Sequence, residues 1–142
     1  MLNENFKVTG QVTIQKNGEV VRDIANTIVT AGKNNIASLI TDAGSKMTHM
    51  AVGTGTTSVA AGDTTLVTET DRNALSVSGG APSSNTIVYT AVWSAGDGTG
   101  ALTEAGLFSA ASSGTMMART VFSAVNKGAS DVLTITWTVT IS

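Results

Sequence analysis

The stretch Leu133-Thr134-Ile135-Thr136-Trp137-Thr138-Val139-Thr140-Ile141 alternates without a break between large apolar residues and threonines. Successive side chains of a strand point to opposite faces. The pattern therefore predicts one long strand, with Leu133, Ile135, Trp137, Val139 and Ile141 on a buried face and Thr134, Thr136, Thr138 and Thr140 on the other. Threonine combines good β-propensity with little side-chain entropy and no charge to desolvate, which suits a face that a neighbour can cover. The chain is expected to end inside its own core, as a β-building block.

Working outward, the same period recurs. Phe6, Val8, Gly10, Val12 and Ile14 alternate with polar neighbours up to Lys16-Asn17-Gly18-Glu19, and Val20, Val21 and Ile24 follow. Asn-Gly suits the two positive φ angles of a type I′ turn, and Lys16 and Glu19 are placed to pair across it, so a hairpin is predicted here. Further strands are predicted over 46–53, 74–78, 86–94, 102–110 and 115–125, with Ile87, Tyr89, Ala91 and Trp93 on one face of the third. Ile36, Leu39 and Ile40 fall at helical spacing between Thr30 as N-cap and Gly44 as stop, predicting one short helix near residues 31–42. Asp63-Thr64-Thr65-Leu66 is a candidate for a single helical turn. Short strands punctuated by Gly, Asn and Ser make the fold class mainly β: one domain over 1–142, an antiparallel β-sandwich of jelly-roll-like character.

Composition narrows the function. Charged residues make up 13% of the 142-residue chain, against roughly 25% in an average soluble protein. A surface of Thr, Ser, Asn, Gly and Ala with so few charges suits burial against partners, because interface cores are depleted of charge. A net charge of −2 with scattered Lys and Arg gives no basic stripe for nucleic acid. The absence of cysteine excludes disulfides, zinc-thiolate sites and thiol chemistry. The opening residues Met1-Leu2-Asn3-Glu4-Asn5 do not read as a signal peptide, and no apolar run reaches membrane-spanning length. The expectation is synthesis in a cytoplasm with no membrane partner.

Candidate chemistry is sparse. His49, the single histidine, lies on a predicted strand without an acidic neighbour, and no Gly-x-Ser-x-Gly elbow accompanies it. Gly53-Thr54-Gly55 follows a strand but lacks the Gly-Lys-Ser/Thr of a phosphate loop. Asp97 stands alone among glycines, too few carboxylates for calcium. Glu69, Asp71 and Arg72 form the densest charge cluster and read as a solvated, salt-bridging loop rather than a glycosidase pair. Trp93 and Trp137 are assigned to the core. Met116-Met117 are expected to give one core contact and one interface contact. No catalytic, cofactor-binding or metal-binding residue is assigned, and no cofactor is expected.

The blocks Asn26-Thr27-Ile28-Val29-Thr30-Ala31-Gly32, Met50-Ala51-Val52-Gly53-Thr54-Gly55-Thr56-Thr57, Ala61-Gly62-Asp63-Thr64-Thr65-Leu66, Thr103-Glu104-Ala105-Gly106-Leu107-Phe108, Met117-Ala118-Arg119-Thr120-Val121-Phe122 and 133–139 occur in this order. Their succession, over nearly the whole chain, resembles small virion structural proteins of tailed bacteriophages and prophages: capsid decoration (cement) proteins, head fibres and tail-fibre components. The resemblance implies a non-enzymatic protein, made in a bacterial cytoplasm and localised to the virion. Its leading implied partner is the major capsid protein, stabilised from outside. The alternative is a tail or fibre-base component, bound to tail proteins, or a host-surface binding module. A homo-oligomer is implied, a trimer being the form that suits local threefold positions. The partner-facing surface is expected in segments 53–65, 79–85 and 95–100 and in Met1–Asn5, where small, nearly chargeless residues can approach a partner's backbone closely.

Overall fold

The alternating C-terminal segment is the middle strand of a sheet. A computed structural model describes residues 5–142, so of the Met1–Asn5 segment only Asn5 falls within the described residues. In chain order the elements are β1 (Val8–Lys16), β2 (Glu19–Ala25), β3 (Thr27–Ile28), α1 (Thr30–Leu39), β4 (His49–Gly53), β5 (Glu69–Ala74), β6 (Ala81–Ser83), β7 (Thr86–Trp93), β8 (Gly100–Phe108), β9 (Met116–Lys127) and β10 (Leu133–Ile141). They form two five-stranded sheets, ordered β2-β1-β10-β7-β6 and β3-β9-β8-β4-β5. Every pairing is antiparallel. The architecture is an antiparallel β-sandwich, as the alternation predicts.

In the first sheet the alternation maps directly onto burial. Leu133, Ile135, Trp137 and Val139 are buried, and the intervening threonines are half-buried on the opposite face. Val12 and Ile14 from β1 and Tyr89, Ala91 and Trp93 from β7 join them. Met50, Val52, Leu102, Ala105, Leu107, Met117 and Phe122 from the second sheet close the core. Both tryptophans are core residues.

The Asn17-Gly18 turn joins β1 to β2, with φ of 53° and 83° at its two positions. Lys16 and Glu19 stand opposite each other in the register, yet they form no ion pair among the described residues. Instead the Lys16 ammonium donates to the Asn126 carbonyl, 3.2 Å away. The Asn17 side chain reaches a distant loop, donating to Asp131 at 2.8 Å and accepting from the Val132 N–H at 2.9 Å.

Several boundaries differ from the sequence reading. The helix spans Thr30–Leu39, with Val29 rather than Thr30 at the N-cap and no side-chain cap bond. Its Thr30 N–H is satisfied by the Ala61 carbonyl at 2.7 Å. The chain leaves the helix through Asp42, in the left-handed region at φ 59°, before Gly44 is reached. Gly32 is the helix's one buried residue, and a Cβ there would run into the Met117 carbonyl, so the helix lies directly on β9. The predicted strand over 74–78 is not formed: β5 ends at Ala74. The charged segment Glu69–Arg72, read as a loop, supplies that strand. Polar edge strands lack the apolar alternation that marks central ones, which also hides Ala81–Ser83 and Thr27–Ile28. Asp63–Leu66 forms no helical turn.

Candidate interaction surface

The second sheet departs from simple alternation because both of its faces are covered. In β4, β8 and β9 the runs Met50–Gly53, Glu104–Phe108 and Met116–Thr120 are buried throughout. One face meets the main core. Across the other lies the segment between β4 and β5, whose Leu66 packs with Val29, Ala51, Phe108 and Met116 in a small second core. Met116 is thus buried beneath this segment and Met117 in the main core; neither of the pair is left for an external contact.

Two buried charged side chains fasten that segment down. Glu104 and Arg119 are both fully buried. Arg119 donates from Nη2 and Nε to Glu104 Oε2, at 2.8 and 3.1 Å. Its Nη1 reaches Asp63 Oδ2 at 2.9 Å, and Nη2 also reaches the Thr57 carbonyl at 3.0 Å. Glu104 accepts backbone N–H bonds from Gly55 (3.0 Å), Val67 (3.0 Å) and Thr68 (2.7 Å). Asp63 further accepts from the Ala60 N–H at 3.0 Å. Every one of these bonds ends on the 55–68 segment or on the pair itself, so the Gly55, Val67 and Thr68 N–H groups and the Thr57 carbonyl of a loop without secondary structure are satisfied from beneath.

Burial by itself would raise the Glu104 carboxyl. The Thr68 and Val67 N–H groups, the Arg119 guanidinium and the Gly55 N–H outweigh it, and the group is held below the usual glutamate value. At neutral pH it is an anion paired with the Arg119 guanidinium. Buried pairs of this kind fix geometry more than they add stability, since desolvation offsets much of the attraction.

Outward, the fastened segment presents Thr54, Thr56, Thr57, Ser58, Ala60, Ala61, Gly62, Thr64 and Thr65, all exposed and uncharged. The first sheet adds a second, threonine-rich face, where register aligns Thr9, Thr140 and Thr86 in one rank and Thr13, Thr136 and Thr90 in another, with Asp23 of β2 beside Thr13 at its edge. The three loops expected to face a partner do not merge. Segment 53–65 crosses the second sheet, 79–85 begins beside the helix, and 95–100 lies at the opposite end near Lys127, whose ammonium donates to Ser94.

The residues weighed for chemistry stay apart. His49 Nδ1 lies 2.8 Å from the Thr48 hydroxyl. Glu69 makes a two-bonded ion pair with Arg72 at 2.6 and 2.9 Å, and the Arg72 guanidinium lies 3.7 Å over the Phe108 ring. Among the described residues, no three His, Cys, Asp or Glu side chains are grouped to hold a metal, and no helix is long and apolar enough to cross a membrane.

Glu104, Arg119 and Asp63 were not legible as a group. Glu104 is the one charge of β8, between Leu102 and Leu107, and Arg119 stands between Met117 and Phe122 in the buried first half of β9, away from Lys127 at the strand's end. A charge on a buried strand calls for a partner, and that was the available signal. Compared with family models, with curated proteins and with solved structures, the chain matches none.

Proposed function

We propose that this chain is a bacteriophage virion structural protein, a decoration protein that binds the outside of the capsid shell and stabilises it. The observation that carries the proposal is the surface of segment 54–68: mostly small Thr, Ser, Ala and Gly with Val67, its one charge, Asp63, paired with Arg119, and the segment bonded from below by Glu104 and Arg119. Such a surface docks without desolvating ions and without ordering a loop, both of which subtract from affinity. The sequence blocks behind the phage resemblance support the same reading. Those from β8, β9 and the fastened segment are joined by the bonds of this network, those from β3 and β4 by strand pairing with β9 and β8, and the helix start by the Thr30–Ala61 bond and the contact of Gly32 with Met117. The partner is the major capsid protein, and the chain acts as a homotrimer over shared subunit junctions. No residue has a catalytic role.

Copy number per virion and the stability of shells lacking the protein test the proposal together. Hundreds of copies, with deletion giving shells that assemble but open at lower temperature, is the expected result. A handful of copies, with unchanged shells and failed adsorption to the host, would assign the chain to the tail instead.

A further inference from the structure

The described residues leave the end of the sandwich beneath α1 unfilled. A cavity of about 390 Å³ opens there between the two sheets and the helix, within the range of small-molecule pockets, roughly 300–1,000 Å³. Its wall is apolar and reaches the main core, through Ile36, Met47, Ile87, Tyr89, Met117 and Val139. A second apolar hollow of about 250 Å³ adjoins it on the helix, sharing Val8, Ile36 and Ile40.

Asn35, Ser45 and Lys46 place polar groups along one stretch of the larger cavity's lining, and Tyr89 adds a hydroxyl from β7. Asn35 and Ser45 satisfy each other, Asn35 donating to the Ser45 carbonyl at 2.7 Å and accepting from the Ser45 N–H at 2.9 Å. Lys46 is the charged group of the lining, its stem laid against Gly79; a Cβ at Gly79 would sit 3.2 Å from the Lys46 Cδ. Among the described residues, Lys46 and Lys33 are the charged ones lining the two hollows, and no carboxylate lines either one. Neither lysine forms an ion pair among the described residues. The helix that roofs the cavity rests on one buried glycine and leaves Ile40 84% exposed.

We infer that this cavity is a binding site for a single-chain amphipathic anion, a medium-length alkyl carboxylate. The chain lies among Ile36, Met47, Ile87 and Met117, and the carboxylate pairs with the Lys46 ammonium at the mouth. Methionine suits such a wall because its unbranched thioether adapts to chains of differing shape. A second copy of the protein is the poorer occupant, since a two-fold contact at this end would set Lys33 and Lys46 against their own equivalents. The inference is independent of where the protein sits on a virion.

Titration of the full chain with decanoate, below its micelle concentration, tests it by calorimetry and by shifts of the Met47 and Met117 methyl resonances. The expected result is saturable binding of one decanoate per chain, with decanol about fivefold weaker, the size of effect a part-exposed ion pair supplies. Lys46→Met should bring decanoate down to the level of decanol and leave decanol unchanged. Ile36→Trp should block both ligands; Leu39→Trp, at a more exposed position of the same lining, does the same if the first variant fails to fold. Absence of decanoate binding, equal binding by Lys46→Met, or binding that survives a folded Trp variant would overturn the assignment. Co-sedimentation with phosphatidylglycerol vesicles without binding of free decanoate would overturn it too, by placing the alkyl chain in a bilayer.

Discussion

Arg119 on β9 and Glu104 on β8 meet side by side on the covered face of the second sheet, both fully buried, with two bonds of 2.8 and 3.1 Å between them. Between them they bond to Gly55, Thr57, Asp63, Val67 and Thr68. The pair is the link between the sheet and the surface proposed to dock.

Removing one partner strands the other as a buried charge. Glu104→Ala and Arg119→Ala should each lower stability by about 3–5 kcal/mol in urea unfolding. The double variant should cost less than the sum, because the two residues share one network. Hydrogen exchange should speed up at Gly55, Val67 and Thr68 in the Glu104 variant, while β1 and β10 amides keep their protection relative to global stability.

The pH dependence follows from the same carboxylate. Its folded-state pKa lies below the unfolded value, so its contribution is complete above the ordinary glutamate range and is lost as pH falls through the folded-state value. Stability should therefore decline on the acid side. Glu104→Gln should be less stable at neutral pH and should show a shallower acid decline; an unchanged slope would place the acid sensitivity elsewhere.

Trp137 lies at the centre of the main core with none of its surface exposed. Trp137→Ala should cost about 3–5 kcal/mol. Thr136→Ala and Thr138→Ala, on the opposite face, should each stay within about 0.5 kcal/mol. A loss below about 1 kcal/mol for the tryptophan variant would contradict its packing.

Asn17 combines a left-handed backbone with two side-chain bonds to the 131–132 loop. Asn17→Ala should cost about 1–3 kcal/mol, from the strained φ and the lost bonds. Asn17→Gly should recover the backbone part alone. Comparing their unfolding midpoints separates the two contributions.

In the proposed virion role, His49→Ala and Glu69→Gln should leave assembly intact in an infectivity assay. Glu69 belongs to a partly exposed ion pair, of a kind that contributes little. Loss of an enzymatic activity in either variant would argue against a structural role.

Strand periodicity alone determined the sandwich, the Asn17-Gly18 hairpin and the inward side of Leu133, Ile135, Trp137 and Val139, because a strand with one wet face writes its burial as a two-residue alternation. It also placed a helix near residue 36, though with a Thr30 cap and a Gly44 stop where the chain uses Val29 and Asp42. The second sheet resisted that reading: once segment 54–68 covers its outer face, β4, β8 and β9 are buried on both sides and the alternation disappears. β5 was hidden for the opposite reason, since an edge strand carrying Glu69, Asp71 and Arg72 has little apolar signal. Glu104 and Arg119 lie 15 residues apart and Asp63 lies 56 from Arg119. Only the β8–β9 pairing and the path of the loop bring them within hydrogen-bonding distance, because a side-chain network is set by register and not by local sequence. The cavity beneath α1 was likewise decided by tertiary structure, since its lining is assembled from β1, α1, β7, β9, β10 and the loops at 45–47 and 79, which are distant in sequence.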